Sequence, residues 1–298
     1  IFTRTGNVWS QQLKLVGTGA VGRSEQGTSV SLSADGNTAI VGGNHDNNNI
    51  GAAWVYVRSG GTWIQQGNKL VGSGATGNAG QGFSVSLSAN GDTAIVGGIG
   101  DNVSAGAAWV FTRSGGVWTQ QDKLVGSGAV GSAQQGSSVS LSADGNTALV
   151  TGWRDNGDKG AAWVFTRSGG VWTQQGSKFS GSGAVGNAEQ GVSGSLSADG
   201  NIAILGGRAD SSGAGAAWTF TRSGGVWAQQ GSKFSGLGYV GTSVRQGQSV
   251  ALAADGNTAI IGGPSDNGSA GATWIFADFS TDVEIFGTFA NGYVTFNT

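Results

Sequence analysis

The stretch that decides the fold is Gln26–Gly43, which reads QGTSVSLSADGNTAIVGG. Small polar and apolar residues alternate over residues 29–34, which predicts a β-strand with two unlike faces, strand A. Asp35 and Gly36 follow, and this pair predicts a two-residue hairpin with positive φ at both positions. Residues 38–41 are apolar on both faces, so they predict a strand B that is buried on both sides.

The sequence downstream completes a four-stranded unit. Residues 51–56 read GAAWVY and begin strand C, which is predicted over residues 52–58 and is again apolar on both faces. A Ser-Gly-Gly turn at residues 59–61 leads to residues 62–66, where Trp63 is mixed with polar side chains, as expected of an outer strand D. Four antiparallel strands of rising polarity are typical of a propeller blade.

The unit recurs five times along the 298 residues. A fixed period of this kind indicates a propeller or a solenoid, but solenoid coils are usually shorter and lack repeated hairpin turns. We therefore predict an all-β fold, a β-propeller of five four-stranded blades over residues 1–280, with six or seven blades left open. The tryptophan of the GAAW motif recurs at intervals of 55, 54, 55 and 56 residues, as Trp54, Trp109, Trp163, Trp218 and Trp274.

Strand A of the first unit carries three serines. Ser29, Ser31 and Ser33 are predicted to be small because the blades converge at a crowded axis. Residues 1–15 resemble a hairpin of strands C and D with no preceding strands A and B, and we expect residues 7–12 to complete the last blade by strand exchange at the termini.

The segment 281–298 departs from the repeat. Residues 283–289 and 293–296 predict a strand pair around Asn291 and Gly292. Unpaired strand edges are templates for strand addition, so this pair is expected to link subunits into a head-to-tail homopolymer. The chain begins in mid-pattern at Ile1 without an initiating Met, which indicates a processed or excised segment.

With these residues laid out, the unit resembles the FG-GAP repeat of integrin-α-type propellers, in particular its bacterial variant. The match lies in residues 26–43 and 51–56 and recurs over about residues 1–280. The Phe-Gly of the family is Gln-Gly here, as at Gln26 and Gly27, and its Gly-Ala-Pro is Gly-Gly-X in four units and Thr-Gly-Trp in the other. Calcium-binding members carry several acidic residues in the turn between strands A and B. This chain has one, too few for a Ca²⁺ ion that takes about six to eight oxygens, so the resemblance implies the fold without the metal or any other cofactor.

The composition of the chain limits the classes of function that we expect. A net charge of −2 provides no basic face for nucleic acid, and no apolar run reaches the length of a membrane-spanning helix. Abundant Gly, Ser, Thr and Asn with 11% charged residues resembles bacterial secreted and surface proteins, so we expect a secreted or cell-surface location. His45 is the sole histidine, and paired carboxylates and a phosphate-loop signature are missing. Because these catalytic patterns are missing, we expect no enzymatic activity.

Each loop between strands B and C carries an aspartate at the same position of the repeat. Functionally these residues could be weak cation sites. The interpretation that we favour is that they stabilise turns by bonding to their own backbone, since one carboxylate from each of these positions provides too few ligands for a cation. The five residues are Asp46, Asp101, Asp155, Asp210 and Asp266.

The repeated tryptophans divide into two groups. Those of strand C, such as Trp54, lie between apolar neighbours and are predicted to belong to the core. Those of strand D, such as Trp118 and Trp172, lie nearer the rim and could stack on sugar rings. Cross-strand stacking by Arg113 and Arg167 explains them equally well without a ligand.

Residues that break the repeat are the predicted ligand contacts, because the other units fold without them. Trp153, Arg154, Asp158 and Lys159 make one loop a charged aromatic patch, and Tyr239 with Arg245 alters the last connector between strands D and A. The predicted function is a non-enzymatic extracellular adhesion scaffold whose loops bind a protein or glycan on a surface. Two alternatives remain open, a fibre subunit joined by its terminal strands and a multivalent carbohydrate-binding lectin.

Overall fold

The computed structural model describes residues 1–277 and the strands Gly287–Ala290 and Tyr293–Phe296. The predicted fold class is confirmed: the chain is all-β, with antiparallel blades arranged as a β-propeller. Four blades have four strands each, and the fifth has three within the described residues. No helix among these residues is long and apolar enough to cross a membrane.

The chain starts with a hairpin and then enters the blades. The hairpin consists of β1 (Phe2–Thr5) and β2 (Val8–Gln11). The first blade comprises β3 (Ser29–Leu32), β4 (Thr38–Gly43), β5 (Ala52–Ser59) and β6 (Thr62–Gln65). The second comprises β7 (Gln81–Leu87), β8 (Thr93–Gly98), β9 (Ala107–Ser114) and β10 (Val117–Leu124). The third comprises β11 (Val139–Leu141), β12 (Thr147–Gly152), β13 (Ala161–Ser168) and β14 (Val171–Gln174).

The remaining elements follow the same order. The fourth blade comprises β15 (Gln190–Leu196), β16 (Ile202–Gly207), β17 (Ala216–Ser223) and β18 (Val226–Phe234). The fifth comprises β19 (Ser249–Leu252), β20 (Thr258–Gly263) and β21 (Ala272–Ala277), and β22 (Gly287–Ala290) pairs with β23 (Tyr293–Phe296). Residues 283–286 of the predicted off-repeat pair lie outside the described residues. A single helical turn joins the second and third strands of each blade: α1 (Asp46–Asn49), α2 (Asp101–Ser104), α3 (Asp155–Asp158), α4 (Asp210–Gly213) and α5 (Asp266–Ser269).

Every blade has two unlike apolar faces. In the first blade Ile40 pairs with Val55 on one side of the sheet, and Val41 pairs with Trp54 on the other. We name these the isoleucine face and the tryptophan face. The isoleucine face of the first blade packs on the tryptophan face of the second, which contains Trp109, and the pattern continues to the fifth blade. The core is therefore a series of layers between blades.

The A strands of neighbouring blades contact one another, so the blades converge along this edge. Two of the strand A serines also have a role that was not predicted. They lie on the isoleucine face and bond to the next blade: Ser29 Oγ donates to the Gly82 carbonyl at 2.9 Å, and Ser31 Oγ accepts from the Leu87 amide at 3.1 Å. Small polar side chains are needed here because they join two backbones that approach closely. Ser33 bonds within its own blade, to Asp35 and Thr38.

The turn between strands A and B also differs from the prediction. Gly36 has a φ of 65°, but Asp35 does not have positive φ. The Gly36 amide donates to the Ser33 carbonyl and the Ser33 amide to the Thr38 carbonyl, both at 2.9 Å, so the connection is longer than two residues. Asp35 is there for its carboxylate, which accepts hydrogen bonds from Ser33 and Asn37.

The predicted completion of the last blade by residues 7–12 does not occur in this structure. Strand β2 pairs with β1 instead, with Arg4 opposite Trp9. A hairpin closes a short loop and therefore forms at low entropic cost, whereas pairing with β21 joins the two ends of the chain. The fifth blade consequently keeps an exposed apolar face, marked by Ile275, and the first blade an exposed apolar edge at strand A, marked by Leu32.

The short turn of each loop is left-handed. Three consecutive residues have positive φ in each one, for example Asn102, Val103 and Ser104 at 46°, 56° and 66°. Asn, Ser and Gly predominate at these positions in the other loops, and Asn and Gly tolerate this conformation. Val103 is a β-branched residue held in an unfavourable backbone region.

Replacing Val103 with asparagine is expected to raise the free energy of unfolding by about 1 kcal/mol, because Asn tolerates positive φ and Val does not. Val103 is 86% exposed, so little packing is lost. Urea unfolding of V103N measures the change. The matched control V117N alters an exposed valine of strand β10, where β-branching is favourable, and should not stabilise the protein. A destabilised V103N would contradict the left-handed turn.

Candidate functional site

The connectors between blades are fixed by the glutamine of the Gln-Gly pair at or just before the start of strand A in each unit. Gln81 is buried, its Oε1 accepts from the Gly72 amide at 2.5 Å, and its Nε2 donates to the Gly72 carbonyl at 2.8 Å. Gly72 is required because a Cβ there would lie 2.1 Å from the Trp109 ring. The Trp109 Nε1 donates in turn to the Ser73 carbonyl at 2.9 Å. The same clamp recurs at Gln26, Gln135, Gln190 and Gln246.

The loop aspartates form buried ion pairs. Asp101 is 1% exposed, its Oδ1 accepts from the Thr76 amide at 2.8 Å, and its Oδ2 lies 2.7 Å from Lys123 Nζ. The ammonium therefore occupies the position that a cation would need. Bonding of these aspartates to their own backbone was the wrong interpretation, since Oδ1 reaches the connector about 25 residues earlier in the chain. Three further pairs join Asp46 to Lys69, Asp155 to Lys178 and Asp210 to Lys233, and Asp266 accepts from the Val240 amide.

Sequence reasoning missed the lysines of these pairs. Lys69, Lys123, Lys178 and Lys233 recur with the period of the repeat, which was the available signal. Residues 1–277 hold no cluster of three or more acidic or histidine side chains suited to a metal ion. The aspartates hold the connectors in place.

Replacing Asp101 with asparagine is expected to lower the free energy of unfolding by roughly 1–3 kcal/mol, because Lys123 loses its counter-charge in a largely buried site. Thermal and urea unfolding measure the loss. The matched control is D158N, which removes an aspartate whose pairing with Arg154 is half exposed and should change stability by less than about 0.5 kcal/mol. Equal effects in the two variants would contradict the assignment.

The rim tryptophans are occupied by protein groups. Arg113 lies 5.5 Å from the ring centre of Trp118 and Arg167 5.3 Å from that of Trp172, each pair being opposite across strands C and D. The Trp118 Nε1 donates to Gln66 Oε1 of the preceding blade at 2.9 Å, and Trp172 is buried. Cross-strand stacking is thus the structural role of both rings, and neither presents an open platform for a sugar.

Two carboxylates of the turns between strands A and B, those of Asp35 and Asp144, have lowered pKa values. Hydrogen bonds from Ser33 and then from Asn37 lower the pKa of Asp35 to about 2 from 3.8. Burial raises the pKa of Asp144, but bonds from Ser142 and Asn146 outweigh it and the net shift is downward. Because the pKa is lower in the folded state, the stability that these groups contribute is present above about pH 4 and is lost as the pH falls towards 2.

The S33A variant is expected to raise the pKa of Asp35 towards 3.8, since it removes the strongest hydrogen bond to the carboxylate. Carboxyl NMR shifts recorded across a pH titration measure the change. S10A removes an exposed serine outside the turn and should leave the pKa of Asp35 where it is. An unchanged pKa in S33A would show that the bond to Ser33 does not set the value.

The repeat-breaking residues of the third blade meet an arginine from the fourth. The ring of Trp153 has Arg154 at 4.8 Å and Arg208 at 5.2 Å from its centre, so two guanidinium groups stack on one indole. Arg154 also pairs with Asp158 at 3.4 Å, and Arg208 with Glu189 at 2.5 Å. Arg208 was not predicted. It occupies the repeat position of Trp153 one unit later, and stacked units bring equivalent positions together.

A shallow cleft of about 400 Å³ adjoins this cluster, between Arg208, Glu189 and Arg245. Backbone bonds set its walls: the Arg245 amide donates to the Gly213 carbonyl at 2.8 Å, and the Glu189 amide to the Asp158 carbonyl at 2.9 Å. The structure therefore brings Arg245 to the same surface as Trp153, Arg154, Asp158 and Lys159. Tyr239 is partly exposed on the connector, but it does not line the cleft.

His45 has both ring nitrogens engaged. Its Nδ1 lies 2.6 Å from Asn49 Oδ1, and its Nε2 lies 3.3 Å from Glu25 Oε2. These contacts tie the first loop to the connector before it. The histidine is thus placed in a structural role.

No family model and no curated protein sequence matches this chain. Among solved structures it is similar to TolB from Acinetobacter baumannii, with a TM-score of 0.48 and 15% identity over 84% of this chain. The chain spans about half of that protein, covering 51% of its length.

Proposed function

We propose that the chain is a non-catalytic binding scaffold of the FG-GAP-like kind, secreted or exposed on a cell surface. The observation that carries the proposal is Trp153 with Arg154 and Arg208 stacked on it, beside a cleft at the loop end of the blades. Tryptophan and arginine are the residues that most often dominate binding energy at interfaces. Nothing in the repeat requires them, because the other units build the same loop without them.

The charge of this surface favours an acidic partner. Arg154, Arg208 and Arg245 carry three positive charges, against two negative charges on Asp158 and Glu189. Lys159 adds a fourth positive charge to the same loop as Arg154. Planar guanidinium groups suit carboxylate or sulfate groups, which they bind through paired hydrogen bonds. The partner is therefore a surface protein or glycan that presents acidic groups to the loop end.

The two alternatives have less support. The lectin hypothesis relied on Trp118 and Trp172, whose rings are covered by arginines. Linkage of subunits through residues 281–298 falls largely outside the described residues and stays a prediction. Catalysis is not proposed, since the cluster pairs its acidic groups with arginines.

Replacing Trp153 with alanine is expected to weaken binding to an acidic glycan at least tenfold, because both guanidinium groups lose the ring that positions them. The probe is an array of sulfated, uronate-containing and neutral glycans, with acidic peptides alongside, read by biolayer interferometry. Wild-type protein should bind the acidic glycans and peptides of the array, and this binding should weaken in high salt.

The matched control is W9A, which removes a tryptophan that is 66% exposed on the N-terminal hairpin, away from the cluster. It should leave binding unchanged. Equal loss in W9A and W153A, or wild-type protein that binds no acidic probe, would refute the proposal.

A further inference from the structure

Both ends of the blade array expose apolar residues whose counterparts are buried at every internal position. Val30 and Leu32, on the tryptophan face of the first blade, are 68% and 56% exposed, whereas their counterparts Val85 and Leu87 are 8% and 7% exposed. On the isoleucine face of the last blade, Ile275 is 71% exposed. Its counterparts are almost fully buried: Val55, Val110, Val164 and Thr219. Trp54 and Tyr56 on the tryptophan face of the first blade are buried, with Ile1 and Leu15 packed against their cluster. The chain thus presents the strand A edge of one tryptophan face and one isoleucine face without a blade against them.

The internal interfaces show what each face binds. Four times along the chain an isoleucine face packs on the tryptophan face of the next blade. The same polar contact recurs with it, in which a strand A serine accepts from a leucine amide of the next blade, as Ser86 does from Leu141 at 3.1 Å. The exposed face of the last blade and that of the first are therefore the two halves of one interface.

A buried donor on the first blade indicates the missing neighbour independently. Among the described residues, nothing accepts a hydrogen bond from Trp63 Nε1, although this atom is buried. The equivalent Trp118 donates to Gln66 Oε1 of the preceding blade, three residues after the tryptophan of that blade's strand D. Gln12 stands three residues after Trp9 in the same pattern. Trp63 therefore lacks the glutamine of a blade placed before the first.

The two ends also carry complementary strands. The fifth blade has no strand D within the described residues, while β2 (Val-Trp-Ser-Gln) matches the strand D sequence Val-Trp-Thr-Gln of β14 and is exposed along its length. If β2 left β1 and paired with a fifth blade placed before the first, Gln12 would lie in the position that Gln66 has beside Trp118. The exposed blade faces and strand β2 would then both be completed by the same neighbour, a fifth blade placed before the first.

We propose that the isoleucine face of the last blade binds the tryptophan face of the first blade of a second copy, head to tail, with strand β2 completing that blade. The contact is not made within one chain in this structure, where Val30, Leu32 and Ile275 stay exposed. A further blade added through the same interface continues the array. Heterologous contacts of this kind build rings or filaments.

The test uses two variants, I275E and V30E, each of which places a charge in one half of the interface. Each alone should weaken self-association of the full chain about a hundredfold in sedimentation velocity, because a charge would be buried without a partner. Mixed together they should form a dimer and nothing larger, since I275E keeps an intact first blade and V30E an intact last blade. The control V171E alters a valine that is 63% exposed at an outer strand and should assemble like wild type.

A third variant tests whether self-association can be strengthened. The last unit has Ala251 where the others have the serine that bonds to the next blade. A251S should therefore strengthen association by about two- to tenfold. Thermal unfolding checks that all variants fold. Monomeric wild-type protein at every concentration, a mixture that stays monomeric, or V171E that fails to assemble would each overturn the proposal.

Discussion

Each blade of this protein has two apolar faces and can cover neither of them by itself. Ile40 and Trp54 are on opposite sides of one sheet, so removing both from water requires a neighbour on each side. Hydrophobic burial between blades is therefore the interaction on which the rest depends, as in other repeat proteins that are stabilised by nearest neighbours. Bonds such as that of Ser29 to Gly82 add a polar contact that fixes how far one blade slides along the next.

Stacking of the blades also explains the layout at the loop end. Equivalent positions of successive units lie side by side, so each loop meets the connector that enters the next blade. The buried pair of Asp101 and Lys123 and the clamp of Gln81 on Gly72 hold this arrangement. The repeated polar residues thus have structural roles, and the unrepeated ones are the candidates for binding a partner.

The strand order and the core were predictable because the sequence patterns that indicate them lie within short stretches of the chain. Alternation in residues 29–34 and the apolar run at residues 38–41 required only neighbouring residues, and strand C tryptophans such as Trp109 proved buried as expected. The lysine partners of the loop aspartates required contacts between distant residues. Their period was nevertheless visible in the sequence.

The candidate site was predicted in part. Trp153, Arg154, Asp158 and Lys159 stand out in a single loop, but Arg208 joins them only when two units are stacked. A repeat gives a rule for such cases: positions one period apart are neighbours. Applied to Trp153, the rule leads to Arg208, and applied to Glu189 it leads to Arg245 across the cleft.

Near-identity of the units creates a problem of specificity, since many pairings of blade faces are almost equally stable and misregistered states compete during folding. Covalent connection resolves it for internal faces, because consecutive units are held at high effective concentration. The end faces have no such advantage. The last unit, moreover, replaces the bonding serine with Ala251 and the small alanine of strand C with Thr273. Contacts between end faces are therefore weaker than those within the chain. Consecutive blades pack on each other first, and the end faces associate more slowly and reversibly.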